Sequence, residues 1–197
     1  MEVNGHKIGP GAFLQGAGLK GAFLDSANLS CAWCVEVNFE GVNLANANLS
    51  FANLKRAYMP NANLTNANLA RVLLLGANLT GANLTGANLT GADLRFATLT
   101  SANLGGANLT GADIRGAELP GENLTDANLS FADLGAANLR AANLTGANLT
   151  GANLWVARLT GARLTGANLT GADLRFARLT GANLTGANLT GVIGYKP

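Results

Sequence analysis

The sequence predicts an all-β solenoid, a chain wound into stacked coils. Three observations carry that prediction: a period of five, two apolar positions inside each period, and deviations that recur at one wide, fixed spacing. The unit is Ala-Asn-Leu-Thr-Gly, as in Ala77–Gly81, Ala82–Gly86 and Ala87–Gly91. With Leu as its centre, centres fall at every residue number ending in 4 or 9 from Leu14 to Leu189, which makes 36 repeats without an insertion. Leu fills 32 of these centres, and Cys34, Phe39, Met59 and Ile114 fill the others. Ala stands two residues before the centre in 32 repeats, the exceptions being Val37, Val42, Val72 and Glu122.

Each element of that coil follows from the spacing. An α-helix advances about 100° per residue, so Leu at every fifth position would spiral around the cylinder and bury no face. A straight strand alternates faces at each residue, and five is odd, so successive Leu would point to opposite sides. The chain must therefore bend once per repeat. Within a repeat, alternation puts Ala and Leu on one side and Asn on the other, while Thr-Gly, Ser-Gly or Thr-Asn supplies the turn. The number of repeats per coil comes from the deviations. Ala92-Asp93-Leu94-Arg95-Phe96-Ala97 returns as Ala172-Asp173-Leu174-Arg175-Phe176-Ala177, and Ser50-Phe51-Ala52 returns as Ser130-Phe131-Ala132. Both offsets equal 80, which is divisible by 20 and not by 15, and this favours four repeats per coil.

Composition agrees. Charged residues make up 12% of the chain, against about 25% in an ordinary globular domain. High aliphatic content argues against disorder, and four prolines with no Gly-X-Y period exclude collagen. Net charge is +2 and the pI is near 8.7, which does not demand a polyanionic partner. The longest aliphatic run, Val72-Leu73-Leu74-Leu75, is far short of the roughly 20 residues that span a bilayer, so no membrane partner is expected. The opening Met1-Glu2-Val3-Asn4-Gly5-His6-Lys7 carries no apolar signal-like stretch, and the expected location is cytoplasmic.

These repeats resemble those of the pentapeptide repeat proteins, whose pattern is A(D/N)LXX, over residues 12 to 191. The resemblance implies a right-handed quadrilateral parallel β-helix with four repeats per coil, here about nine coils. Residues 1–11, with Gly9-Pro10-Gly11 as a breaker, are expected to form an N-terminal cap, residues 12–191 the solenoid, and 192–197 a C-terminal tail or cap. Neither flank is long enough for a stable helix, so an open coil end and an end-to-end homodimer are also expected. Some members of the family resemble duplex DNA, bind DNA gyrase or topoisomerase and protect it from quinolones. That is the alternative function implied. This chain departs from it, being slightly basic, uninterrupted by a loop, and ending in Gly194-Tyr195-Lys196-Pro197.

With four repeats per coil, equivalent residues of successive coils stack in columns. One column is asparagine throughout, from Asn28 and Asn48 to Asn188, which reads as an amide ladder or as turn bonding. The face centred on Leu14, Cys34 and Leu54 is different. After its centres stand Gln15, Val35, Lys55, Leu75, Arg95, Arg115, Gly135, Trp155 and Arg175, and before them Asp93, Asp113, Asp133 and Asp173 recur. The candidate interaction face is Arg95, Phe96, Arg115, Trp155, Arg158, Arg175, Phe176 and Arg178. Arg and aromatic side chains interleaved in this way suit an unidentified protein partner, or less favourably a nucleic acid. The competing reading is a solvated face on which each Asp neutralises an Arg. Charge also divides along the chain: residues 1–137 carry net −3 and residues 138–197 net +5, from Arg140, Arg158, Arg163, Arg175, Arg178 and Lys196 against Asp173.

Signals that suggest chemistry are weaker than they look. Cys31-Ala32-Trp33-Cys34 has C-x-x-C spacing, but that redox motif needs a helix N-terminus, and the repeat register makes Cys34 a buried centre. Gly16-Ala17-Gly18-Leu19-Lys20-Gly21 fits G-x-G-x-x-G without a strand–turn–helix setting. His6 is the only histidine, so histidine metal clusters and Ser-His-Asp chemistry lack partners. No catalytic, metal or cofactor site is assigned, and a non-enzymatic scaffold is expected. Glu122 occupies an inward position after Pro120-Gly121. The expectation there is a local bulge that turns its side chain outward.

Overall fold

The computed structural model describes residues 1–195, so Lys196 of the basic set and Pro197 of the expected tail lie outside the described residues. At every fifth residue from Phe13 to Asp173 the chain forms a parallel bridge to its counterpart four repeats further on, as Phe13 does to Trp33. Four repeats therefore close each coil, as the recurring deviations indicated. At about 4.8 Å per coil, nine coils make a rod roughly 43 Å long. We name its faces A, B, C and D after the centres Leu14, Leu19, Leu24 and Leu29.

Two hydrogen-bond patterns repeat. Each centre from Leu14 to Leu174 donates its N–H to a carbonyl of the next coil, as Leu54 does to Leu73, and from the second coil on the residue before the centre, Asn123 excepted, donates to the previous coil, as Asn53 does to Ala32, both at 2.8 Å. Between faces, the N–H of the small residue closes a four-residue turn onto the previous centre, as from Ala57 to Leu54 at 3.0 Å. The third residue of each turn has positive φ whether or not it is glycine: Gly76 at 64°, Phe96 at 55°, Val156 at 57°. Positive φ there is what a type II turn requires. The four corners of the coil are thus set by backbone geometry, and each occupant bears the strain individually. A β-branched residue such as Val156 is the most strained of them.

The interior is the Leu and Ala columns, with centres from Leu14 to Leu174 at 0–2% exposure. Asparagine holds the outside of the turns. In the all-Asn column each Oδ1 accepts the N–H two residues on, as Asn88 does from Thr90 at 3.2 Å, and Nδ2 of Asn88 donates to Oδ1 of Asn68 at 3.2 Å. Both readings of that column are therefore present together: a turn bond within each coil and an amide ladder between coils.

The first coil is covered by a hairpin. β1 (Glu2–Val3) pairs antiparallel with β2 (His6–Lys7) around Asn4-Gly5, whose φ angles of 50° and 76° fit the mirror-image turn favoured in two-residue hairpins. Ile8 is buried beneath it, and Asn4 Nδ2 donates to the Gly18 carbonyl at 3.2 Å. At the other end Leu179, Leu184 and Leu189 are only partly buried.

Glu122 corrects the sequence reading. Its residue is 2% exposed, and its side chain is not turned outward. The slot it occupies fits Ala or Val, so a carboxylate forces the backbone aside. Glu122 is the one inward position among the described residues whose N–H does not close its turn, and the Asn123 N–H misses the Ala102 carbonyl that its register assigns to it. The carboxylate then fills the gap. Ser101 N–H, whose counterparts at other corners donate to a carbonyl of the next coil, donates to Glu122 Oε1 at 2.7 Å. Burial raises the Glu122 pKa, and the neighbouring Ser101 and Ala102 amides offset only part of that.

Candidate interaction face

Face A carries most of the residues singled out from sequence, and the coil register lines them up along the rod. Asp93 stands two residues before Arg95. Arg95 Nε and Nη2 donate to Asp93 Oδ1 and Oδ2, both at 2.8 Å. Arg115 repeats the fork on Asp113 at 2.8 and 2.6 Å, and Arg175 on Asp173. The first two forks also reach down the column: Arg95 Nε lies 3.5 Å from Asp113 Oδ2, and Arg115 Nε 3.5 Å from Asp133 Oδ2. The arginine forks hold the Asp93, Asp113 and Asp173 carboxyls below the usual carboxylate range, and the carboxylates in turn raise the arginines. These three arginines are engaged within the protein, which is the charge-neutralising arrangement weighed against a free basic face.

The aromatic residues are more available. Phe96 and Trp155 are 67% and 48% exposed, and Phe176 is exposed as well. Phe96 leans along the rod: a Cβ added to Gly116 would lie 2.7 Å from its ring. Between Phe96 and Trp155 lies an open cleft of about 350 Å³ lined by Arg115, Gly116, Asp133, Gly135, Ala136 and Asn153. Its floor exists because glycine and alanine occupy positions 116, 135 and 136. Sequence reading placed Gly135 in the Arg column without drawing anything from it. The signal was there, since every neighbouring Asp on this face is followed two residues later by Arg.

Arg158 and Arg178 do not belong to this face. They bridge each other directly on face B, and neither makes an ion pair among the described residues. The structure thus separates the eight singled-out residues into a paired ribbon with aromatics on face A and two stacked arginines on face B. Phe96 and Phe176 occupy the same corner between the two faces, four coils apart.

Other motifs resolve by burial. Cys31 is exposed at a corner and Cys34 is buried as a centre, and burial pushes the Cys34 thiol up to about 12. A nucleophilic thiol needs the opposite shift. Gly18, inside the G-x-G-x-x-G string, bridges to Asn38 of the next coil, and among the described residues no helix stands beside it to receive a phosphate. Among the described residues no group of three or more His, Cys, Asp and Glu is arranged to hold a metal, and no helix is long and apolar enough to cross a membrane.

This geometry defines a class, the repeat-built β-solenoids with four flat faces. A family model, Pentapeptide repeats, matches eight times between residues 11 and 193, and the chain belongs to that family. Its fold is the right-handed quadrilateral β-helix. Among solved structures the chain is similar to HetL, a pentapeptide repeat protein involved in heterocyst differentiation regulation from the cyanobacterium Nostoc sp. strain PCC 7120. Identity is 39% over 93% of this chain and 85% of HetL, with a TM-score of 0.85. It is also similar in fold to QnrB1, a plasmid-mediated fluoroquinolone resistance protein, at 22% identity over 87% of this chain and 86% of that one, with a TM-score of 0.54. No curated protein sequence matches the chain.

Proposed function

We propose that this protein is a non-enzymatic interaction scaffold that binds a protein partner through face A, around Phe96 and Trp155. The observation that supports this reading is that, among the rod's several exposed aromatics, Phe96 and Trp155 flank an open cleft. Exposed aromatics beside a polar rim are the usual energetic centre of a protein interface. HetL is involved in a regulatory process, and binding a partner is how a rod of this kind, without a catalytic group set, acts in regulation. The gyrase-binding alternative has less support, because the likeness to QnrB1 extends to the fold alone and three of the aspartates on face A are forked by arginine. Nucleic-acid binding through this face would need free cations where Arg95, Arg115 and Arg175 are already paired.

Affinity capture from host-cell lysate tests the proposal. Wild type is expected to retain a discrete protein that the Phe96→Gly/Trp155→Thr double variant loses, with both proteins equally folded by circular dichroism. Identical captures from the two would contradict it.

A further inference from the structure

The Asp/Arg ribbon of face A has one member missing. Asp93 and Asp113 each receive an arginine fork from two residues on. Asp133 stands in the same register, and its Oδ1 accepts the N–H two residues on at 3.0 Å, as Asp93 and Asp113 accept theirs. At position 135, however, the residue is glycine. Asp133 Oδ1 also accepts Asn153 Nδ2 at 2.9 Å, while Oδ2 faces only Arg115 Nε at 3.5 Å, with the side chain 36% exposed. The run Asp93, Arg95, Asp113, Arg115, Asp133 therefore ends on a carboxylate with no arginine fork of its own, whose one cationic neighbour, Arg115, is already forked onto Asp113. The cleft opens where the missing side chain would lie, and Phe96 and Trp155 stand among its walls.

We propose that this cleft receives an arginine side chain of a protein partner, which takes the place left empty by Gly135 and forks onto Asp133 beside Trp155 and Phe96. The proposal rests on the reading of face A as a protein-binding surface. The chain itself supplies the template for the contact, since the same carboxylate position two and one coils earlier binds a guanidinium through two parallel N–H···O bonds. A planar cation is favoured over a compact ammonium because the site offers a bidentate carboxylate together with aromatic surface. A neutral side chain would leave Asp133 with no cation but the shared Arg115. A phosphate or nucleic-acid backbone would be repelled by it.

The test is a ¹⁵N NMR titration with N-acetyl-arginine amide at millimolar concentration, against its neutral isostere N-acetyl-citrulline amide and against adenosine monophosphate. Saturable shifts are expected at the amides of Gly116, Gly135 and Ala136 and at the Trp155 indole, with the arginine probe alone. Asp133→Asn, which places the residue of positions 53 and 153 in the same column, is expected to weaken binding about tenfold or more. Gly135→Arg is expected to abolish it by filling the cleft from within. A Cβ at Gly135 would lie 3.2 Å from Asp133 Oδ1 and 3.6 Å from Arg115 Cγ, and positive φ is not required there, so this variant keeps its coil. Equal binding of the citrulline probe, an Asp133→Asn affinity like wild type, or saturation by adenosine monophosphate in place of arginine would overturn the proposal. The two readings fail separately. A partner lost by Phe96→Gly/Trp155→Thr but kept by both Asp133→Asn and Gly135→Arg would leave the interaction face standing and remove the arginine cleft. Specific arginine binding with no partner lost from the double variant would do the reverse.

Discussion

Replacing Glu122 by alanine is expected to stabilise the rod, by about 2 kcal/mol at neutral pH. Most changes at a buried position destabilise, and this one is expected to differ because the carboxylate sits where the repeat has room for a methyl group. Alanine lets the backbone return, so that the residue-122 N–H closes onto Leu119, Asn123 N–H reaches Ala102, and Ser101 N–H recovers the Pro120 carbonyl in exchange for Glu122 Oε1. Three backbone bonds replace one side-chain bond, at a net ~0.5–1.5 kcal/mol each, and a desolvated charge is removed. The pH dependence carries a definite sign. Burial raises the Glu122 pKa in the folded state, so its contribution to stability is fully present below the ordinary glutamate pKa and is lost as pH rises through the folded value. The advantage of Glu122→Ala over wild type should therefore widen from acid to neutral pH. Glu122→Gln, which cannot ionise, should show no such trend relative to Glu122→Ala. Urea midpoints at several pH values, at unchanged m, measure this. A destabilised Glu122→Ala would mean that the Ser101–Glu122 bond does more than fill a gap.

Gly151→Val is expected to cost about 3 kcal/mol, the largest loss foreseen for a surface position. Two causes add. Residue 151 is a coil corner with φ of 63°, and a side chain in that region costs about 1–2 kcal/mol. A Cβ there would also lie 2.8 Å from the Phe131 ring, which drapes over the glycine one coil on, and overpacking of that order costs roughly 1–3 kcal/mol. Val156 shows that the corner conformation alone is survivable, because the residue one coil before it is Ala136, which carries no ring to overhang it. In a Phe131→Gly background Gly151→Val should therefore lose only the conformational part, and the double-mutant cycle should return a coupling of about 1–3 kcal/mol. Additive losses would show that the ring moves freely out of the way.

These two cases mark what could be read from the chain and what could not. The period, the inward Leu and Ala columns and the four repeats per coil follow from spacing, because a five-residue unit admits few geometries that bury the same two positions every time. The corner conformation was less visible, since its column mixes Gly, Phe, Arg, Asn and Val, and the backbone imposes positive φ on them all. The pairing of Phe96 with Gly116 and Phe131 with Gly151 is a one-coil spacing that becomes meaningful once rings are seen to lean toward the next coil. The N-terminal hairpin was announced by Asn4-Gly5, a turn signal that reading residues 1–11 as a plain cap left unused. At Glu122 the anomaly was plain and its outcome was not. Whether a carboxylate leaves the core or displaces the backbone depends on whether an acceptor-hungry amide lies within reach, and Ser101 N–H does.

On face A the sequence supplied the right columns and an incomplete account of them. Asp and Arg two residues apart indicated pairing, and the forks at Asp93, Asp113 and Asp173 are that pairing. Arg158 and Arg178 were grouped with them, although 158 and 178 fall on the next face of the coil. The cleft at Gly135 depends on what a neighbouring coil withholds, and so becomes visible only when residues 96, 115, 135 and 155 are set side by side.

The most direct test of the central claim, that binding occurs on face A, is site-specific photocrosslinking in cells with a photoreactive residue at Trp155 or, on the opposite face C, at Thr145. A discrete crosslinked partner from position 155 and none from position 145 is the expected result. The same partner from both positions, or from Thr145 alone, would contradict it.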